Sequence, residues 1–99
     1  MKAFEVVLSP EARADLLDLY EWVAEQASPI MAMRYVERIE DHLKGYAHAP
    51  ERGHRRDDLR PGLRVAGFER RVTIAFMVEE DRVTILRLAY GGRNLEALV

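Results

Sequence analysis

A chain of 99 residues, 48% apolar and without cysteine, suits one domain around one core and excludes disulfides, zinc–thiolate centres and thiol nucleophiles. The net charge of −2 hides an asymmetry: residues 1–50 hold five Lys/Arg against nine Asp/Glu, and residues 51–99 hold ten against eight, so an anionic partner is met by the second half. No apolar run approaches the roughly 18–20 residues that cross a bilayer, and the opening MKAFEVVLSPEA lacks the apolar core of a signal peptide; the expectation is a single soluble, cytoplasmic domain over 1–99 with no membrane contact.

Residues 3–8 (AFEVVL) are short, apolar and partly β-branched, which predicts a strand. Ser9-Pro10 then reads as an N-cap followed by proline at the first helical position, where its missing N–H costs nothing. Ala12, Leu16, Leu19, Tyr20, Val23 and Ala27 recur at helical spacing, while Glu11, Asp15, Asp18, Glu21 and Glu25 fall mostly on the polar side. Ser28-Pro29 repeats the punctuation and starts a second helix with an apolar face of Ala32, Met33, Val36, Ile39, Leu43 and Ala47, ended by Gly45 or Ala49-Pro50. So short a junction makes the helices an αα-hairpin.

Residues 50–64 show no usable period and predict a loop closing on the Arg60-Pro61-Gly62 turn. Three strands follow: LRVAGF, VTIAFMV (72–78) and VTILRLAY (83–90), with EEDR as the turn between the last two. Both faces of those two are largely apolar, which places them mid-sheet. Gly91-Gly92 breaks the last strand, and RNLEALV predicts one terminal helical turn or a tail. The order β-α-α-β-β-β implies an α+β fold, a helical hairpin packed on one face of a mainly antiparallel sheet.

The chemistry on offer is narrow. The only serines, Ser9 and Ser28, serve as caps, and His42, His48 and His54 are spaced too evenly to put two ligands on one helical face, so they read as solvated side chains with no metal site. Asp57-Asp58 sits among Arg55, Arg56 and Arg60 and reads as a balanced surface. No glycine-rich phosphate loop is present, and no cofactor is implied. What stands out is an arginine set: Arg60 and Arg64 around the Pro-Gly turn, Arg70 and Arg71 entering one strand, Arg87 and Arg93 leaving the next. If the last two strands pair across EEDR, Arg71 and Arg87 lie toward one end of the sheet. Trp22 falls off the core-facing arc of the first helix, where an exposed tryptophan makes an interface anchor.

Taken in order, S-P-x-A-x-x-D-L, the Tyr20/Trp22 pair, R-Y-V-E-R-I, the P-E-R-G and D-D-L-R-P-G-L-R loop, and I-L-R-L before the glycines resemble, along nearly the whole chain, the ParE toxins of the RelE/ParE superfamily, of the plasmid stabilisation type. The resemblance implies the RelE/ParE-like fold and a bacterial type II toxin–antitoxin module. Its partner would be a ParD-like antitoxin that folds against the helical hairpin at Tyr20, Trp22 and Tyr35, and that alone reaches operator DNA. A ParE-type member binds DNA gyrase without catalysis of its own, and Arg60, Arg64, Arg71, Arg87, Tyr90, Arg93 and Asn94 then form the target-binding set, Arg87 being a surface cation whose removal spares the fold. A RelE-type member instead cleaves mRNA on the ribosome, with Tyr90 as acid/base and Arg87, Arg71 and Arg64 as phosphate cations. A third outcome is an inactive toxin that only binds its antitoxin. ParE-like strands commonly end in leucine-histidine, where this chain has Ala89-Tyr90.

Overall fold

The computed structural model describes residues 3–99. Strand β1 (Glu5–Leu8) leads into helices α1 (Pro10–Gln26) and α2 (Pro29–Lys44); after a 3-10 turn at Gly45–Ala47 come strands β2 (His54–Arg55), β3 (Leu63–Phe68), β4 (Val72–Val78) and β5 (Arg82–Tyr90), and a last 3-10 turn at Leu95–Ala97. The strands make one sheet in the order β1-β5-β4-β3-β2, in which β1 runs parallel to β5 and the other pairs are antiparallel. The α+β architecture expected from the sequence is thus observed, with β4 and β5 inside the sheet.

Both helices begin as their caps dictate. The Ser9 hydroxyl accepts from the Ala12 N–H at 3.0 Å and that of Ser28 from Met31 at 3.2 Å, satisfying N–H groups that a helix start otherwise leaves open. Gly45 caps the end of α2. Leu19, Ile39, Leu43, Tyr46, Ile74, Phe76, Ile85 and Leu88 make the core between hairpin and sheet, each large side chain contributing about 1.5–3 kcal/mol through burial. The opposite sheet face is apolar too, because Leu63, Val65 and Ala75 are covered by Leu59, Met77, Leu86 and Leu95 from the loop before β3, the sheet itself and the tail.

Four readings are corrected. Within the supposed loop 50–64, His54 and Arg55 pair with Val65 and Arg64 as a two-residue edge strand, too short to show a period. Met33, expected in the apolar face of α2, is half exposed, and Tyr35 takes the buried position: the true stripe is Ala32, Tyr35, Ile39 and Leu43. His42 is not solvated; it is half-buried on Phe68 with its Nε2 3.2 Å from the Tyr46 hydroxyl, and burial, then the nearby Arg52 charge, holds its pKa below the ordinary imidazole value. Asp15, assigned to the polar side of α1, is buried.

A β-bulge explains how β5 ends. Ala75 pairs with Arg87 but Phe76 with Ile85, so Leu86 is the extra residue. The slip changes parity: Val83 and Ile85 face the helices before it, Leu88 and Tyr90 after it, and Leu86 joins the opposite face.

Candidate functional site

Strand β1 stops at Leu8, opposite Ile85, so the rest of β5 has no strand beside it on that edge. Helix α1 completes the ladder. The Ser9 N–H donates to the Ile85 carbonyl at 2.9 Å and its hydroxyl to the Leu86 carbonyl at 2.9 Å, while the Leu88 N–H donates to Asp15 Oδ2 at 2.9 Å. The Asp15 carboxylate, 2% exposed, also receives the Arg87 fork: Nε to Oδ2 at 2.8 Å and Nη2 to Oδ1 at 2.9 Å. The third Arg87 nitrogen, Nη1, donates to the Leu98 carbonyl at 3.2 Å. Such a bidentate, charge-assisted pair is among the strongest side-chain contacts, and the Asp15 hydrogen bonds hold the Arg87 pKa above its ordinary value. Arg87 is therefore a junction between α1, β5 and the tail, not the free surface cation anticipated.

Beside this junction, the C-terminal half of α1, the start of α2, the β3–β4 turn and the end of β5 enclose a cleft of about 710 Å³. Leu19, Val23, Met31 and Val72 give it apolar walls; Trp22, Tyr35 and Tyr90 give it rings; Arg38, Glu69, Arg70 and Arg71 form a charged rim. Trp22, 41% exposed, lies 5.8 Å from the Tyr90 ring, and the Arg93 guanidinium sits 5.0 Å over the other residue of that pair, Tyr90. Tyr35 is 9% exposed, packs on Phe68, and its hydroxyl has no hydrogen-bond partner among the described residues. Burial raises the pKa of both Tyr35 and Tyr90 above the ordinary phenol value, with the Glu69 charge adding to the effect at Tyr35.

The rim holds a strained turn. Glu69 and Arg70 have φ of 50° and 61°, a left-handed conformation that costs a non-glycine residue roughly 1–2 kcal/mol. Hairpin turns of this kind ordinarily use Asn-Gly. Here the Glu69 carboxylate takes the Arg38 fork at 3.0 Å on each oxygen, and Arg70 and Arg71 project as exposed cations with no ion pair or side-chain hydrogen bond among the described residues.

The residues singled out in the sequence divide accordingly. Trp22, Tyr35, Arg71 and Tyr90 meet in the cleft. Tyr20 does not: it lines a second groove of about 470 Å³ with Leu16, Leu17, Met33 and Val36. Arg64 ties the loop down by donating to the Arg52 carbonyl at 3.0 Å and the Glu51 carbonyl at 3.1 Å, and Arg60 is exposed in that loop. Asn94 caps the tail turn by accepting from the Glu96 N–H at 3.0 Å. Asp57 and Asp58 pair with Arg55 and Arg56, as the balanced-surface reading expected. What the sequence reading missed is Asp15, although Ala12, Asp15 and Leu19 already stand at i, i+3 and i+7; the charge concealed the spacing.

Five strands behind a helical hairpin define a fold class shared with solved toxin–antitoxin complexes. A chain from the RelBE2 toxin–antitoxin complex of Mycobacterium tuberculosis matches with a TM-score of 0.67 at 19% identity, covering 94% of this chain and 97% of that one. A chain from the chromosomal ParDE system of P. aeruginosa matches with a TM-score of 0.78 at 25% identity, covering 89% and 96%. No curated protein matches. The family model for the ParE toxin of the type II toxin–antitoxin system parDE matches residues 6–95, and the chain belongs to that family.

Proposed function

We propose that this ParE-type toxin acts by binding DNA gyrase through the end of its sheet, without catalysis, and that a ParD-like antitoxin neutralises it by occupying the cleft. The observation carrying the reading is how the arginines are used. An RNase needs Tyr90, Arg64, Arg71 and Arg87 around one scissile phosphate, yet all three Arg87 nitrogens donate to Asp15 and the Leu98 carbonyl, and two of the three Arg64 nitrogens donate to loop carbonyls. Burial also raises the Tyr90 pKa above the ordinary phenol value, which works against a general-base role. Arg71, Tyr90, Arg93 and Asn94, at and just beyond the end of the sheet where Phe68, Val72 and Tyr90 pair, instead suit a contact surface, from which the exposed Arg60 stands apart at the Leu63 end of β3.

For the antitoxin, the cleft supplies apolar walls, an exposed tryptophan and two unpaired cations, a combination that suits an apolar segment bearing acidic residues and ordering as it binds. Tyr20 in the second groove extends that surface along the hairpin. The antitoxin also carries the operator-DNA contact, and the complex resides in the cytoplasm.

A DNA supercoiling assay with purified gyrase, run beside a ribosome-programmed mRNA cleavage assay, tests the target. Inhibited supercoiling with intact mRNA is the expected result; codon-phased cuts with active gyrase would make Tyr90 a catalytic residue after all, and silence in both assays would mark a chain that only binds its antitoxin. Failure of the adjacent gene's product to co-purify would remove the partner assignment.

A further inference from the structure

Asp15 belongs to neither the cleft nor the target-binding set, yet three residues, Arg87 and Leu88 of β5 and Arg93 of the tail, converge on its carboxylate. We infer that Asp15 is a positioning residue: a helix-borne anion that fixes the end of β5, the Gly91-Gly92 turn and the tail, and so sets where Tyr90, Arg93 and Asn94 stand. The inference rests on the reading of that segment as the target contact.

Its Oδ2 accepts from Arg87 Nε and the Leu88 N–H, and its Oδ1 from Arg87 Nη2, with Arg93 Nη1 at 3.7 Å. The path continues outward in two directions. Arg87 Nη1 holds the Leu98 carbonyl, one residue from the last in the chain. Arg93 lies over Tyr90, and Tyr90 against Trp22 at the cleft wall. Gly91 and Gly92, with φ of 61° and 81°, give the backbone the left-handed path that lets Arg93 fold back toward Asp15. The other anchors of the tail are weaker: Leu95 is only partly buried, the Glu96–Arg56 pair is exposed, and the Asn94 cap is local. A carboxylate rooted in a packed helix thus supplies the order that residues 91–99 lack on their own.

Asp15→Asn isolates this role. The amide keeps the side-chain volume and can still accept from the Leu88 N–H, so β5 stays in place, while the charge shared by Arg87 and Arg93 is lost. In the full chain, released from its antitoxin complex, the tail amides of Arg93, Ala97, Leu98 and Val99, hydrogen-bonded to Tyr90, Asn94 and Leu95, are expected to exchange with solvent at least tenfold faster through local opening, while β4 amides, which open only with the whole fold, change by no more than the separately measured loss of global stability dictates. Gyrase inhibition is expected to fall at least tenfold. Unchanged tail exchange, or a rise by one factor along the whole chain, would overturn the inference. Should Asp15→Asn fail to fold, Arg87→Lys serves instead: it keeps a cation for Asp15 but cannot also reach the Leu98 carbonyl, and the same tail-limited acceleration is expected, with wild-type tail exchange overturning the idea. If the unmodified toxin leaves gyrase untouched, the target reading is lost, whereas the exchange comparison still decides for or against Asp15.

Discussion

Two groups of arginine stand near one end of the sheet and use the same side chain in opposite ways. Arg87 is inserted between α1, β5 and the tail, with its nitrogens donating to Asp15 and Leu98. Arg70 and Arg71, a few residues away across the β4–β5 register, are exposed at a strained turn without a pair. The first spends its charge on the fold, because every nitrogen of its fork is engaged, two on the buried carboxylate and one on the Leu98 carbonyl. The second leaves its charge available, at the cost of backbone strain. An arginine count cannot separate these uses; the number of donors still free can.

The largest expected effect comes from breaking the saturated member. Arg87→Ala leaves the Asp15 carboxylate buried without the fork, and removing one partner of a buried pair typically costs about 3–5 kcal/mol. Since Arg87 retains partial exposure, the lower end applies, a melting temperature roughly 12 °C or more below wild type. Asp15→Ala is expected to match it, because each variant empties the same junction. Thermal denaturation of either variant within about 2 °C of wild type would erase the distinction between the two groups.

The exposed member is expected to respond in the other currency. Arg70→Glu combined with Arg71→Glu changes stability by less than about 0.5 kcal/mol, as surface substitutions do. Antitoxin affinity, measured calorimetrically at about 0.1 M salt, is expected to fall at least tenfold, with the loss shrinking as salt screens the rim. A smaller and opposite effect belongs to the turn itself: Glu69-Arg70→Asn-Gly relieves two left-handed residues and raises the melting temperature by several degrees. A fall in melting temperature would show that the Arg38 bridge, not the backbone, governs that turn.

Much of this was legible in the sequence, and what escaped has a common cause. Proline beside serine marked both helix starts because the cap and the fixed φ act locally, and the strands β3 to β5 carried their period in a handful of residues. The bulge at Leu86 was hidden because a run of apolar residues on both faces masks a change of parity. The S-P-x-A-x-x-D-L and I-L-R-L motifs signalled the family, yet that their Asp15 and Arg87 are one ion pair is a fact about residues 72 positions apart. The cleft likewise joins the hairpin aromatics to the sheet-end cations, a proximity set by packing that no local pattern encodes.

The finest test of the comparison uses acid. Hydrogen bonds from Arg38, then its charge, hold the Glu69 carboxyl below the ordinary glutamate value. A folded-state pKa below the unfolded one means that the unfolded chain binds more protons between the two values. The stabilisation is therefore complete above the ordinary value of about 4.3 and is lost as pH falls through the depressed folded value. Asp57 and Asp58 are depressed as well, Asp57 first by the Gly62 N–H and Asp58 first by Arg56, so wild type alone cannot isolate Glu69. The difference between wild type and Glu69→Gln can. Melting temperatures are expected to differ by a constant small amount above about pH 5 and to converge below about pH 4. Because both partners are half exposed, added salt is expected to compress that difference. Parallel curves across the whole range would show that the bridge adds nothing to the turn, leaving backbone strain as the only feature separating the rim from ordinary surface.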